Sequence, residues 1–143
     1  MFEIVTNNSP VFKSRLKKFI DSELNSENSF RYYNNRDINI INAHILTCIF
    51  FNYENNIAYG HLDLENNNVW LGIFVSKKYK GIGFGKKMMD YLLSYSKEKK
   101  IKSINLSVDS NNYIAYNLYL KCGFKKIKTK DSKIFMNRKL YEK

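Results

Sequence analysis

The chain has 143 residues, 44% hydrophobic and 15% aromatic, enough for one packed core and too few for two. That composition excludes a disordered protein, and the longest apolar run, Ile45 to Phe51, is broken by Thr47 and far too short to span a bilayer. The net charge of +11 is uneven: residues 1–76 hold six Lys/Arg against eight Asp/Glu, residues 77–143 eighteen against five, which weighs against a general nucleic-acid-binding domain and for an anionic ligand of the second half. Residues 1–25 alternate charge with hydrophobes instead of following the order of a secretory leader, and Cys48 and Cys122 are isolated. A cytoplasmic chain with reduced, packed cysteines is expected.

Phe2–Thr6 reads as a first strand. Pro10 suits the first turn of a helix with Ser9 as N-cap, and Phe12, Leu16, Phe19, Ile20 and Leu24 continue at helical spacing. Residues 25–43 are polar and Asn-rich, a loop with a short helical turn near Phe30–Tyr33. His44–Tyr53 is a β-branched and aromatic strand, Asn55-Asn56 a turn, and Ile57–Leu64 the returning strand. On that strand Ile57, Tyr59, His61 and Asp63 share one face. Glu65–Asn68 turns again, and Val69–Val75 is unbroken apolar, as a strand covered on both sides would be.

A helix runs from Phe84 to about Lys99, with Phe84, Met88, Tyr91, Leu92 and Tyr95 on one stripe. Ile101–Val108 is a strand, Asp109–Asn112 a loop and N-cap, and Tyr113–Cys122 a helix stopped at Gly123. Phe124–Lys128 and Ile134–Leu140 close the chain as a hairpin around the loop Lys128–Lys133. The order is βα, βββ, αβαββ: an α/β (α+β) chain with a mixed central sheet flanked by helices, in a single domain over residues 1–143.

Lys80–Gly85 reads KGIGFG, between a buried strand and a helix. Alternate glycines let the backbone approach a ligand, their N–H groups can point at phosphate oxygens, and the helix adds its positive end. Lys77, Lys78, Lys80, Lys86 and Lys87 surround the loop, so a diphosphate is the natural guest. A P-loop needs one more residue before its Gly-Lys, and the dinucleotide fingerprint needs glycine where Lys86 stands.

The loop resembles the pyrophosphate loop of the GNAT superfamily of N-acetyltransferases, which runs Arg/Gln, two residues, Gly, one residue, Gly/Ala: here Lys80, Gly81-Ile82, Gly83, Phe84, Gly85, with Lys in place of Arg. A second signature of that family follows as Asn112, Ala115, Leu118-Tyr119, Lys121 and Gly123-Phe124. The resemblance covers roughly residues 44–140 and implies the GNAT fold, acetyl-CoA as cosubstrate, and transfer of its acetyl group to a primary amine by direct attack in a ternary complex. It further implies that Val69–Val75 splays from the strand ending at Val108, and that backbone groups of Ile73 and Val75 hold the pantetheine arm in the gap. An N–H near Phe74 or Val75 would meet the oxyanion, while Lys80, Gly81, Ile82, Gly83, Phe84, Gly85 and Lys86 would hold the pyrophosphate. Asn112 would contact the arm, unless it is a plain N-cap, and Tyr119 would be the general acid for the departing thiolate and touch the cofactor, unless it is core packing.

Many relatives carry a Glu where this chain has Asn68, Val69 and Trp70, so the base stays open among His61, Asp63 as its neighbour or ammonium holder, and a path of water. His44 receives no role, and no His/Cys/Asp group has metal-ligand spacing. The acceptor is a small amine, amino sugar, amino acid or protein amine, its site walled by residues 28–43 and the loop Lys128–Lys133. No membrane partner is expected, and the chain is a monomer or homodimer. Two other classes stay open: a catalytically silent CoA-binding interaction module, and a basic nucleic-acid-binding domain.

Overall fold

The computed structural model describes residues 1–24 and 30–141. Strand β1 (Glu3–Thr6) leads to helix α1 (Phe12–Phe19), followed by strands β2 (His44–Asn52), β3 (Asn55–Glu65) and β4 (Asn68–Val75). Helix α2 (Phe84–Glu98), strand β5 (Ser103–Asp109), helix α3 (Tyr113–Lys121) and strands β6 (Lys125–Lys130) and β7 (Lys133–Lys139) complete the order. All seven strands form one mixed sheet in the order β1-β2-β3-β4-β5-β7-β6, the mixed, helix-flanked architecture expected.

Helix α1 starts later than Ser9 suggested. Ser9 is held in a turn after β1, its N–H on Thr6 O, and Val11 takes the N-cap position without a side-chain cap. Phe12, Leu16 and Phe19 are buried, each contributing about 1.5–3 kcal/mol by leaving water. The α-helix then widens into a π turn, Ile20–Leu24, whose longer spacing seats Leu24 in the same core. Residues 25–29 of the expected loop lie outside the described residues. The rest, a segment crossing over the sheet, is not plain loop: it makes 3₁₀ turns at Tyr32–Asn34 and Ile38–Ala43.

The hairpin turns also differ from the sequence reading. Asn55 and Asn56 already pair within β3, and the turn is Tyr53-Glu54, with Tyr53 at φ 54°. The expected loop Lys128–Lys133 shrinks to Asp131-Ser132, both at positive φ as a tight two-residue hairpin requires, with Lys128 and Lys130 paired in β6. Asn66-Asn67 does the same between β3 and β4.

One face of the sheet is covered by α2 and α3, where Met88, Met89, Leu92 and Leu93 pack on Ala58, Leu62, Ile104 and Leu106. Tyr91 and Tyr95, expected on the buried stripe, are only partly covered. The other face is covered over β2–β4 by α1 and the crossing segment, around Ile49, Tyr59 and Phe74.

Candidate functional site

The sheet opens between β4 and β5. Their parallel pairing holds at one position, Trp70 opposite Asn105, whereas β4 pairs with β3 along its whole length. Past Trp70, the backbone groups of β4 that point away from β3 have no strand partner among the described residues, a slot with room for an extended guest. Ile73, Phe74 and Val75 form its β4 wall.

At the end of that slot lies the glycine loop. Gly81 and Gly83 adopt φ of 81° and 98°, a backbone that favours glycine, and a Cβ at either would meet nothing within 4 Å. Gly83 is the N-cap residue of α2, so the orphan N–H groups of the first turn face outward from the loop. Gly85 serves packing instead, since a Cβ there would lie 3.3 Å from Leu118 of α3. Ile82 is exposed, and Phe84 stacks edge-on against Tyr79. Lys80 is exposed near the Phe74 ring, and Lys86 is paired with Asp90 at 2.9 Å.

Tyr119 sits on α3 in the core beneath the slot, 9% exposed, its ring against Phe124. Its hydroxyl makes no hydrogen bond among the described residues, and burial pushes the phenol up to about 12. Asn112 caps α3, its Oδ1 accepting from Ala115 N–H at 3.2 Å. Its amide nitrogen makes no hydrogen bond among the described residues.

His61 and Asp63 lie on the opposite face, under the crossing segment, and both are buried. The His61 ring packs on β4 with its Cε1 and Nε2 toward Gly72: a Cβ there would be 2.6 Å from its Nε2. Its Nδ1 meets the Tyr59 hydroxyl at 2.7 Å, which in turn meets that of Tyr33 at 2.5 Å. Asp63 Oδ2 accepts from the Tyr32 hydroxyl at 2.8 Å. Having spent its hydrogen there, Tyr32 accepts from His44 Nε2 at 2.7 Å, which leaves His44 Nδ1 to accept from Thr47 Oγ1 at 2.6 Å. Burial drives His61 well below the ordinary imidazole value, with His44 and Arg36 adding to it. Burial also lowers His44 to about 4, against the pull of Asp63. Both rings are therefore neutral near pH 7.

The sequence reading missed Tyr32 and His44. The signal was register: His44 opens β2 directly opposite Asp63. Misplacing the turn at Asn55-Asn56 hid it, and a bulge between His44 and Leu46 shifts the count further. Part of the basic charge of the second half sits elsewhere than the glycine loop, since Lys125, Lys126, Lys128, Lys130, Lys133 and Lys139 lie on β6 and β7.

A hollow of about 580 Å³ lies beside the slot rather than in it, lined by Lys18, Glu23, Glu54 and Ser76–Tyr79. Glu23 there accepts from Ser76 Oγ at 2.7 Å and Lys77 N–H at 2.9 Å. Among the described residues no His/Cys/Asp/Glu group could hold a metal ion, and no helix is long and apolar enough to cross a membrane.

Residues 12–124 match the model of the acetyltransferase (GNAT) family. A crystal structure of a GNAT-family acetyltransferase from Staphylococcus aureus Mu50 superposes with a TM-score of 0.76 at 23% identity, covering 99% of this chain and 100% of that one. The PaiA N-acetyltransferase of Thermoplasma acidophilum, solved in complex with coenzyme A, gives 0.71 at 22% identity over 96% and 99%. Over 64 residues the chain is 42% identical to the spermine/spermidine N(1)-acetyltransferase of Bacillus subtilis strain 168, a stretch that spans 43% of this chain and 42% of that relative.

Proposed function

The chain belongs to the GNAT family of acetyltransferases, and on that premise we propose that it moves an acetyl group from acetyl-CoA to a primary amine by direct attack in a ternary complex, in the cytoplasm. The observation that carries this reading is the slot itself: β4 leaves β5 after Trp70, and its free backbone leads to a glycine loop open at a helix N-terminus.

Acetyl-CoA supplies an activated thioester. Ile73 and Val75 would hold its arm by backbone hydrogen bonds, and the N–H groups from Gly81 to Lys86, with Lys80, would hold its pyrophosphate. A backbone N–H near Phe74 or Val75 would face the oxygen on which negative charge grows. Tyr119, buried on α3 with its hydroxyl uncommitted among the described residues and its phenol protonated near pH 7, would protonate the departing sulfur. Asn112 would offer its amide nitrogen to the arm.

On the acceptor side, Asp63 would orient the ammonium, and His61, held neutral over Gly72, would take the proton. A polyamine acceptor is a second reading, supported by the 42% identity to the spermine/spermidine enzyme over 64 residues.

The test is a thermal shift with acetyl-CoA alone, followed by release of free thiol across an amine panel. A melting temperature that saturating acetyl-CoA leaves unmoved overturns the reading. A shift without thiol release from any amine would identify a silent CoA-binding module.

A further inference from the structure

The acceptor face of the sheet continues beyond the slot, and there no described residue covers it. Contacts trace this face strand by strand. Trp70 of β4 stands opposite Asp63 and stacks edge-on with Phe135 of β7. Asn105 of β5 bonds Asn137 of β7 at 2.8 Å, and Lys128 of β6 lies over Phe135. Lys133 stands opposite Asp109 and beside Lys130.

A bulge at Lys126/Lys128 decides which side chains of β6 join this face. With regular pairing, Ile127 and Thr129 would flank Phe135 and Lys133; the extra residue puts Lys128 and Lys130 there instead. Lys125, opposite Asn137, lies on the same face. All six residues of β6 are exposed, and Asp131 at the tip is the one carboxylate of the hairpin.

The carboxylates nearer the slot are engaged by the crossing segment. Asp109 takes two bonds from Arg31, at 2.8 and 3.3 Å, Glu65 pairs with Arg36, and Asp63 accepts from Tyr32. Beyond Asp63 itself, a polycationic acceptor would find Asp109 and Glu65 paired with arginines and then meet a row of lysines.

We propose, building on the acetyltransferase reading, that the acceptor amine is carried by an acidic peptide, whose carboxylates lie along Lys125, Lys128, Lys130 and Lys133 while the amine enters between β4 and β5. The row runs about 17 Å along β6, at roughly 3.3 Å per residue. A single phosphate or carboxylate would meet one or two of these lysines; an extended chain of anionic groups meets them all. Trp70 and Phe135 give apolar seats between slot and lysines.

The experiment compares two fluorescent peptides of equal length, one with acidic residues and one with lysines after the reactive amine, alongside spermidine and a single-stranded oligonucleotide. Binding is read by anisotropy with acetyl-CoA present, and turnover by thiol release. The acidic peptide should bind best, weaken several-fold between 50 and 500 mM salt, and lose about tenfold in kcat/KM with Lys128→Glu/Lys130→Glu. The acetyl-CoA thermal shift of that variant should equal the wild type's, which separates a failed docking face from a failed cofactor site. Equal binding of the two peptides, better turnover of spermidine, or an oligonucleotide that displaces the acidic peptide at lower concentration would each overturn the proposal. Absence of any acetyl-CoA shift in the wild type would instead strike the acetyltransferase reading, while anisotropy would still report on the lysine face.

Discussion

Two kinds of residue are poised here by the same force. Burial raises the Tyr119 phenol to about 12 and lowers both imidazoles, because each group's charged form is the one that loses hydration. Tyr119→Phe should leave acetyl-CoA binding nearly unchanged and lower kcat by roughly 10²–10⁴-fold, measured by thiol release against a binding titration. Equal loss of folding and binding would make Tyr119 a packing residue. A base must be deprotonated to act, so if His61 takes the proton, the rising limb of kcat/KM against pH should lie below about 6.5, and His61→Gln should remove it. If water carries the proton, the limb should follow the amine's own pKa as acceptors are varied. His44 has a consequence for stability as well. Its folded value of about 4 lies below the unfolded value of 6.5, so the unfolded chain binds the proton first as pH falls. Stability present above about pH 6.5 should therefore decline between pH 6.5 and 4, by on the order of 3 kcal/mol. His44→Gln should lessen that decline in chemical denaturation series, leaving the part of the same sign that buried His61 contributes.

Among the elements, the glycine loop and the β3–β4 pair carry sharp steric tests. Gly83 combines positive φ with open space outside it, so Gly83→Val strains the backbone and fills the approach to the loop's N–H groups. The fold should survive, at a cost of about 1–3 kcal/mol, while the acetyl-CoA shift disappears. Gly72→Ala acts differently. Its methyl would stand 2.6 Å from the His61 ring, which is backed by Tyr32 and Tyr59 and cannot retreat freely. A loss of about 1–3 kcal/mol is expected from overpacking, with altered acceptor turnover but a preserved acetyl-CoA shift.

For the molecule as a whole, binding should be read as stability. A hundredfold excess of acetyl-CoA over its dissociation constant should add about 2.7 kcal/mol, a rise of roughly 6–12 °C in melting temperature for a chain of this size. The strand and helix order was legible in the sequence because apolar residues repeat at periods that local backbone geometry imposes, as in Phe12, Leu16 and Phe19 or in the unbroken run of β4. The glycine loop was legible too, since glycine at positive φ and lysine beside it are local requirements. Turn placement was less so: Asn55-Asn56 carried the better turn composition, yet Tyr53-Glu54 turns, and Asn55 and Asn56 pair with Asn52 and Phe51. What the sequence alone determined is therefore the elements, their order and the glycine loop. Only the tertiary structure decided that His44 reaches Tyr32 and Tyr32 reaches Asp63, and that a one-residue bulge turns Lys128 and Lys130 toward the face that carries Trp70 and Phe135. The physical reason is the same in both cases. Side-chain direction along a strand has a period of two, so a single residue of register, set by partners far away in the chain, decides which face every side chain meets.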